Sequence, residues 1–202
     1  MRSADVTAAI LALALAGCGE RKDGTPPSKA PKTAAWHEVS EASLTDAQKA
    51  QRAKADEARQ ALFGFLSARL QKEIAASGPA AAVSVCKTDA KKIASDVSVS
   101  KGVTIGRTSF RLRNPANEGP EWTKPYVAAR REKPAVLAHD DGRLALLHPI
   151  RLLTTCLVCH GDAATIAPEV QAVLAKEYPA DQATGFKEND LRGWFWVEVP
   201  KP

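Results

Sequence analysis

Cys156-Leu157-Val158-Cys159-His160 constrains this chain more than any other stretch, because Cys-x-x-Cys-His is the spacing at which two thiols bond covalently to one haem. On a helical turn the cysteines lie three apart on one face, and the adjacent imidazole is carried towards the iron. A chain that does this must fold around a porphyrin. Cys-x-x-Cys by itself also serves zinc and dithiol redox chemistry, so a zinc or dithiol protein is the alternative from a different class. The histidine narrows the choice to haem c, one group, held covalently.

The N-terminal residues agree with that reading. Thr7 to Ala16 is an apolar run of about ten residues, too short for a membrane-spanning helix and of the size of a secretory core. It leads into Leu15-Ala16-Gly17-Cys18, the pattern of a bacterial lipoprotein signal, in which the cysteine is diacylated. Arg2 is the only basic residue before this run and Asp5 offsets it. The expectation is a signal peptide over 1–17, a lipidated Cys18 and a flexible tether over 18–42, then one domain over 43–202. The tether, from Glu20 to Ala35, is rich in Pro, Lys and small residues with little to bury. Haem c is attached outside the cytoplasmic membrane, so export and the haem motif support each other. The expected location is the periplasmic side of the envelope. Gly19 after the lipidated cysteine favours the outer membrane.

A formal charge of +5 survives removal of 1–17, since Arg2 and Asp5 cancel. In an exported protein this points to an acidic redox partner or an anionic membrane surface and not to nucleic acid.

Helical periodicity runs through Ala58, Leu62, Phe65, Leu66, Leu70 and Ile74 after a capping signal at Ser43 and Asp46. Gly78-Pro79 stops it, and Pro79 opens a second helix with Val83, Cys86, Ala90, Ile93 and Val97 facing inward. Strand-like runs follow at 103–105, 135–139, 144–150 and 194–199, with a turn at Asp140-Asp141-Gly142 and a short helix at Pro168 to Tyr178. The expected fold class is α+β, a small antiparallel sheet with N-terminal helices packed around the cofactor.

His160 takes one axial position on the iron, and the residue opposite is chosen from a short inventory. Met1 is the only methionine and lies in the signal. His37 is near the tether, which leaves Cys86, His139 and His148, or an open position. A buried cysteine often only fills space, so its place on an apolar stripe does not decide the matter. Arg107, Arg111 and Arg113 cluster in a Pro- and Asn-bearing loop and suit haem propionates or a thiolate, or else form a solvated basic face. Asp181 and Arg192 are read as a structural ion pair, and Trp194 and Trp196 as core.

Five ordered segments carry a resemblance: 81–86 (ending in Cys86), 107–117 (Arg107 to Asn117), 156–161, 178–186 (Tyr178 to Phe186) and 190–193. Together they resemble the Tll-type haem-domain family, over about residues 45 to 200. The resemblance implies a PAS-like fold, Cys86 as axial cysteine and His160 as axial histidine, and favours Arg107 and Arg113 as cofactor contacts. The expected function is that of an electron-transfer or redox-responsive haem protein, with a gas or redox sensor acting through a partner as the alternative; with no acid–base constellation to be picked out near the haem motif, an enzyme is not expected.

Overall fold

The computed structural model describes residues 35–202; the signal peptide, Cys18 and most of the expected tether lie outside the described residues. The longest element, α1 (Asp46–Lys101), starts two residues later than Ser43 suggests. Ser43 is spent in a 3-10 turn, where its hydroxyl donates to the Ser40 carbonyl at 2.8 Å. Thr45 caps instead. Its Oγ1 accepts the Gln48 amide at 3.3 Å while Gln48 Oε1 accepts the Thr45 amide at 3.0 Å, so two otherwise unpaired donors are satisfied reciprocally.

Gly78 (φ 81°, ψ 171°) breaks α1 before Pro79, as the sequence predicts, because this φ is open to glycine and Pro79 cannot donate into the preceding turn. The two arms fold back on each other. Arg69 Nε meets Asp89 Oδ2 at 2.8 Å, and Lys101 Nζ meets Glu57 Oε2 at 3.1 Å. Gly102 ends the hairpin in the left-handed region at φ 58°.

The strands are β1 (Trp36–Val39), β2 (Thr104–Thr108), β3 (Ala135–His139), β4 (Leu144–Arg151) and β5 (Leu191–Val199). They form one antiparallel sheet in the order β1-β3-β4-β5-β2. Ala55, Ala58, Leu62 and Val97 of α1 pack on one face against Ile105, Leu144, Leu146, Phe195 and Val197. Burying Leu62 completely contributes about 2 kcal/mol. The opposite face buries Leu137, Ala145, Leu147 and Trp194 beneath Trp122, Tyr126 and Val127, the last two on the short helix α2 (Lys124–Ala128). Covering on both faces explains why Leu144 to Leu147 reads as an unbroken apolar run. Phe65 of the predicted stripe is 59% exposed; within the first arm only Ala55 to Leu66 packs into this core.

β1 was not anticipated. Its four residues pair with β3, Trp36 opposite His139 and Val39 opposite Val136, so part of the expected tether joins the sheet. Two further helices, α3 (Leu157–His160) and α4 (Pro168–Glu177), fill the long connection from β4 to β5.

Candidate functional site

The chain leaves β4 at Arg151, and Leu152 is held to the approach to β5 by its carbonyl, which accepts from Asn189 at 2.8 Å. A 3-10 turn over Thr154–Cys156 then runs into α3, so the five-residue motif lies on one short helical stretch. The two thiols lead into different packing groups: Cys159 sits against Val83 and α4, Cys156 against Leu152, Ala183 and Phe186. Cys86, Cys156 and Cys159 are all free thiols. A side chain at Gly161 would put its Cβ 2.6 Å from the Leu157 carbonyl oxygen, which accounts for glycine after the histidine.

His160 Nδ1 lies 2.6 Å from the Ala183 carbonyl oxygen. A carbonyl can only accept, so Nδ1 carries the proton and Nε2 keeps a free lone pair. Burial, with Arg113 and Arg192 nearby, holds the imidazole pKa well below its usual value, so the ring is neutral. The backbone closes the same loop. Phe186 N–H donates to the His160 carbonyl at 3.0 Å and Gly185 N–H to that of Gly161 at 2.6 Å.

Arg113 ties this loop together. It is 8% exposed; its Nε pairs with Asp181 Oδ2 at 3.0 Å, and its Nη2 donates to the carbonyls of Cys159 at 2.5 Å and Ala183 at 3.3 Å. Asp181 in turn accepts the Ala183 amide at 2.7 Å. Arg113 thus underlies the motif instead of standing free for an outside carboxylate, and it, not Arg192, is the partner of Asp181. Arg192 donates to Ser109 Oγ at 2.8 Å and to the Arg111 carbonyl at 3.0 Å, and burial lowers its pKa to about 10. Arg111 and Arg192 both lie over the Phe186 ring, at 4.5 Å and 5.6 Å, and the Phe186 ring meets the His160 ring at 6.5 Å and 82°. This aromatic contact was not legible in the sequence, since His160 and Phe186 are 26 residues apart and Arg111 is 75 from Phe186.

Arg107 is on β2 and not in a loop, directly opposite Phe195, and on that same sheet face His148 of β4 lies on the other side of Phe195. Its guanidinium has no hydrogen bond or ion pair among the described residues, and burial pushes its pKa down while Cys86 and Tyr178 oppose the shift. Cys86, half-buried on the second arm of α1, also bears on Cys159 and on Tyr178, whose hydroxyl is pushed up to about 12, first by burial. Cys86 is therefore close enough to Cys159, Tyr178 and Arg107 to act on the charge of each. His148 has a buried Nδ1 without a partner, and burial lowers its pKa.

The other histidines are elsewhere. His139 is in the β3–β4 turn, 2.7 Å from Asp141, and His37 is 3.7 Å from Asp140. That turn lies at the far end of β4 from the motif, roughly 24 Å away by strand length. Among the described residues no group of three or more His, Cys, Asp or Glu side chains could hold a metal ion, whereas a zinc site asks for four converging donors. Two thiols on one turn, a neutral imidazole with a free Nε2 and, among the described residues, an unpaired guanidinium fit a planar iron cofactor that bears carboxylates.

Residues 33–200 match the sequence profile of the Tll0287-like family. The fold aligns with the crystal structure of the cyanobacterial haem protein Tll0287 at a TM-score of 0.51 and 20% identity, covering 79% of this chain and 98% of that one. The shared fold is a PAS-like α+β domain. Comparison with curated proteins returns no match. On the extent of the profile match, this chain belongs to the Tll0287-like family.

Proposed function

We propose that this protein binds one haem covalently through Cys156 and Cys159, with His160 and Cys86 as axial ligands, and works as an exported electron-transfer or redox-responsive protein. The observation that carries the reading is the hydrogen bond from His160 Nδ1 to the Ala183 carbonyl. It selects the tautomer with Nε2 available, orients the ring and raises its basicity, which is what a ligand to iron requires. The haem protein Tll0287, whose fold this chain shares, supports the choice of cofactor.

When bound, the haem supplies a one-electron ferric–ferrous couple. Cys86 as thiolate donates electron density and favours the oxidised state, which lowers the potential. Arg107, with no hydrogen-bond or ion-pair partner among the described residues, would receive a propionate or screen the thiolate. Arg113 holds the motif loop through Cys159 and Ala183, so its role is to keep the His160 ring in place. Phe186, beneath Arg111 and Arg192, restricts that ring from the side. The Leu15-Ala16-Gly17-Cys18 pattern supports a lipid anchor at Cys18 on the periplasmic side of the envelope, and the positive net charge suits an acidic redox partner.

The test is an optical spectrum of protein matured with haem-attachment machinery, oxidised and reduced, for the wild type and Cys86→Ala. The wild type is expected to be coloured, with haem retained after acid-acetone extraction. The substitution shifts the Soret band and lets carbon monoxide bind on reduction. A colourless preparation overturns the haem assignment; unchanged bands in Cys86→Ala overturn the sulfur ligand.

A further inference from the structure

Where β2 ends, on the face of the sheet away from α1, lies an open cleft of about 520 Å³ lined by none of the residues proposed to hold the haem. Its volume is within the usual range for small-molecule sites, about 300–1,000 Å³. Phe110, Leu112 and Val127 give it an apolar surface, and Lys124, Arg130 and Glu118 are charged groups at its wall. The cations are not equivalent. Arg111 also lines the cleft, but its donors are taken by the carbonyls of Gln182 and Thr184. Lys124 shares Glu121 at 2.6 Å on the surface.

Arg130 is different. It has no ion pair among the described residues, its φ of 47° is uncommon for a residue with a side chain, and its guanidinium stands 4.7 Å from the centroid of Phe110. The nearby hydroxyls are occupied, Thr108 with the Glu118 carbonyl at 2.5 Å and Ser109 with the Arg192 carbonyl at 2.7 Å. What remains is an unpaired cation beside an aromatic ring over an apolar floor. The guanidinium is the group that would pair with a negative charge, and the ring and floor suit the flat or apolar body that carries it.

The geometry points to a second binding site, for a small carboxylate with an aromatic or apolar body, on the opposite face of the sheet from Arg107. Phe110 also gives the site a route to the centre. It meets Phe186 at 6.3 Å and 69°, and Phe186 meets His160, so an occupant pressing on Phe110 is two ring contacts from the axial histidine.

Benzoate is a suitable probe, with benzylamine as the control of opposite charge, titrated into the full matured chain and followed by NMR. The expected result is saturable shifts centred on Phe110, Val127 and Arg130 with benzoate and none with benzylamine. Arg130→Gln should weaken benzoate about tenfold, the worth of one hydrogen bond to a charged group. Val127→Trp, which fills the cleft, should abolish it, and keeps the test available if Arg130→Gln fails to fold. An equal response to both probes, shifts centred on Phe195 and Arg107, or no saturable shift at all overturns the site. The optical spectrum of the same sample reads the haem assignment independently, so a failure here is distinguishable from a failure of that reading.

Discussion

Asp181→Asn isolates one buried charge. The Asp181 and Arg113 side chains are 10% and 9% exposed, so neither is screened by water as a surface pair would be. Asparagine keeps the shape, and its carbonyl oxygen can still accept the Ala183 amide that Asp181 holds at 2.7 Å. What is lost is the negative charge 3.0 Å from the Arg113 Nε. Leaving a buried charge uncompensated costs about 3–5 kcal/mol, and because Arg113 keeps the carbonyls of Cys159 and Ala183, the lower end, about 3 kcal/mol, applies. For a domain of this size that is a fall of roughly 6–12 °C in melting temperature. Urea denaturation of both proteins at two salt concentrations measures it, and the difference should hardly depend on salt. The apolar double variant Arg113→Met with Asp181→Leu should recover part of the loss. A cost below about 1 kcal/mol for Asp181→Asn would refute the view that this pair holds the motif loop.

Three further outcomes follow from single contacts. Thr45→Ala removes the reciprocal cap of α1 and should cost about 1 kcal/mol in denaturant unfolding, with Ser43→Ala costing less. Gly193→Ala would drive a Cβ into the Thr108 carbonyl oxygen and to 3.0 Å from Ser109 Cβ, so thermal unfolding should show a loss of about 2 kcal/mol. Burial lowers the His148 pKa in the folded state, so below pH about 6.5 the unfolded chain takes up the proton first and stability falls with falling pH. His148→Leu should flatten that decline and, by removing an unsatisfied buried nitrogen, add about 1 kcal/mol at pH 7; an unchanged pH profile counts against this.

Much of the architecture was readable from local chemistry. Gly78-Pro79 breaks a helix whatever surrounds it, Asp140-Asp141-Gly142 turns a hairpin, and Pro168 opens α4, because each acts through backbone restrictions of adjacent residues. β1 was missed since its four residues, Trp36 to Val39, have no pattern of their own and are a strand only by pairing with β3. The Ser43 cap failed for a similar reason: two competing hydroxyls two residues apart are separated only by which one the 3-10 turn consumes.

For the site, the sequence alone determined the donor types and their spacing: Cys156, Cys159 and His160 on one turn, Cys86 on a helical stripe, and a cluster of arginines. Tertiary structure decided what each donor is free to do. Arg113 is consumed by Asp181 and two carbonyls, Arg107 is left unpaired on a strand facing α1, and His139 is carried to the far end of β4. The tautomer of His160 rests on a carbonyl 23 residues away in the chain. Covalent spacing is written into neighbouring residues, whereas which hydrogen bonds are satisfied depends on segments that meet only when the chain has folded.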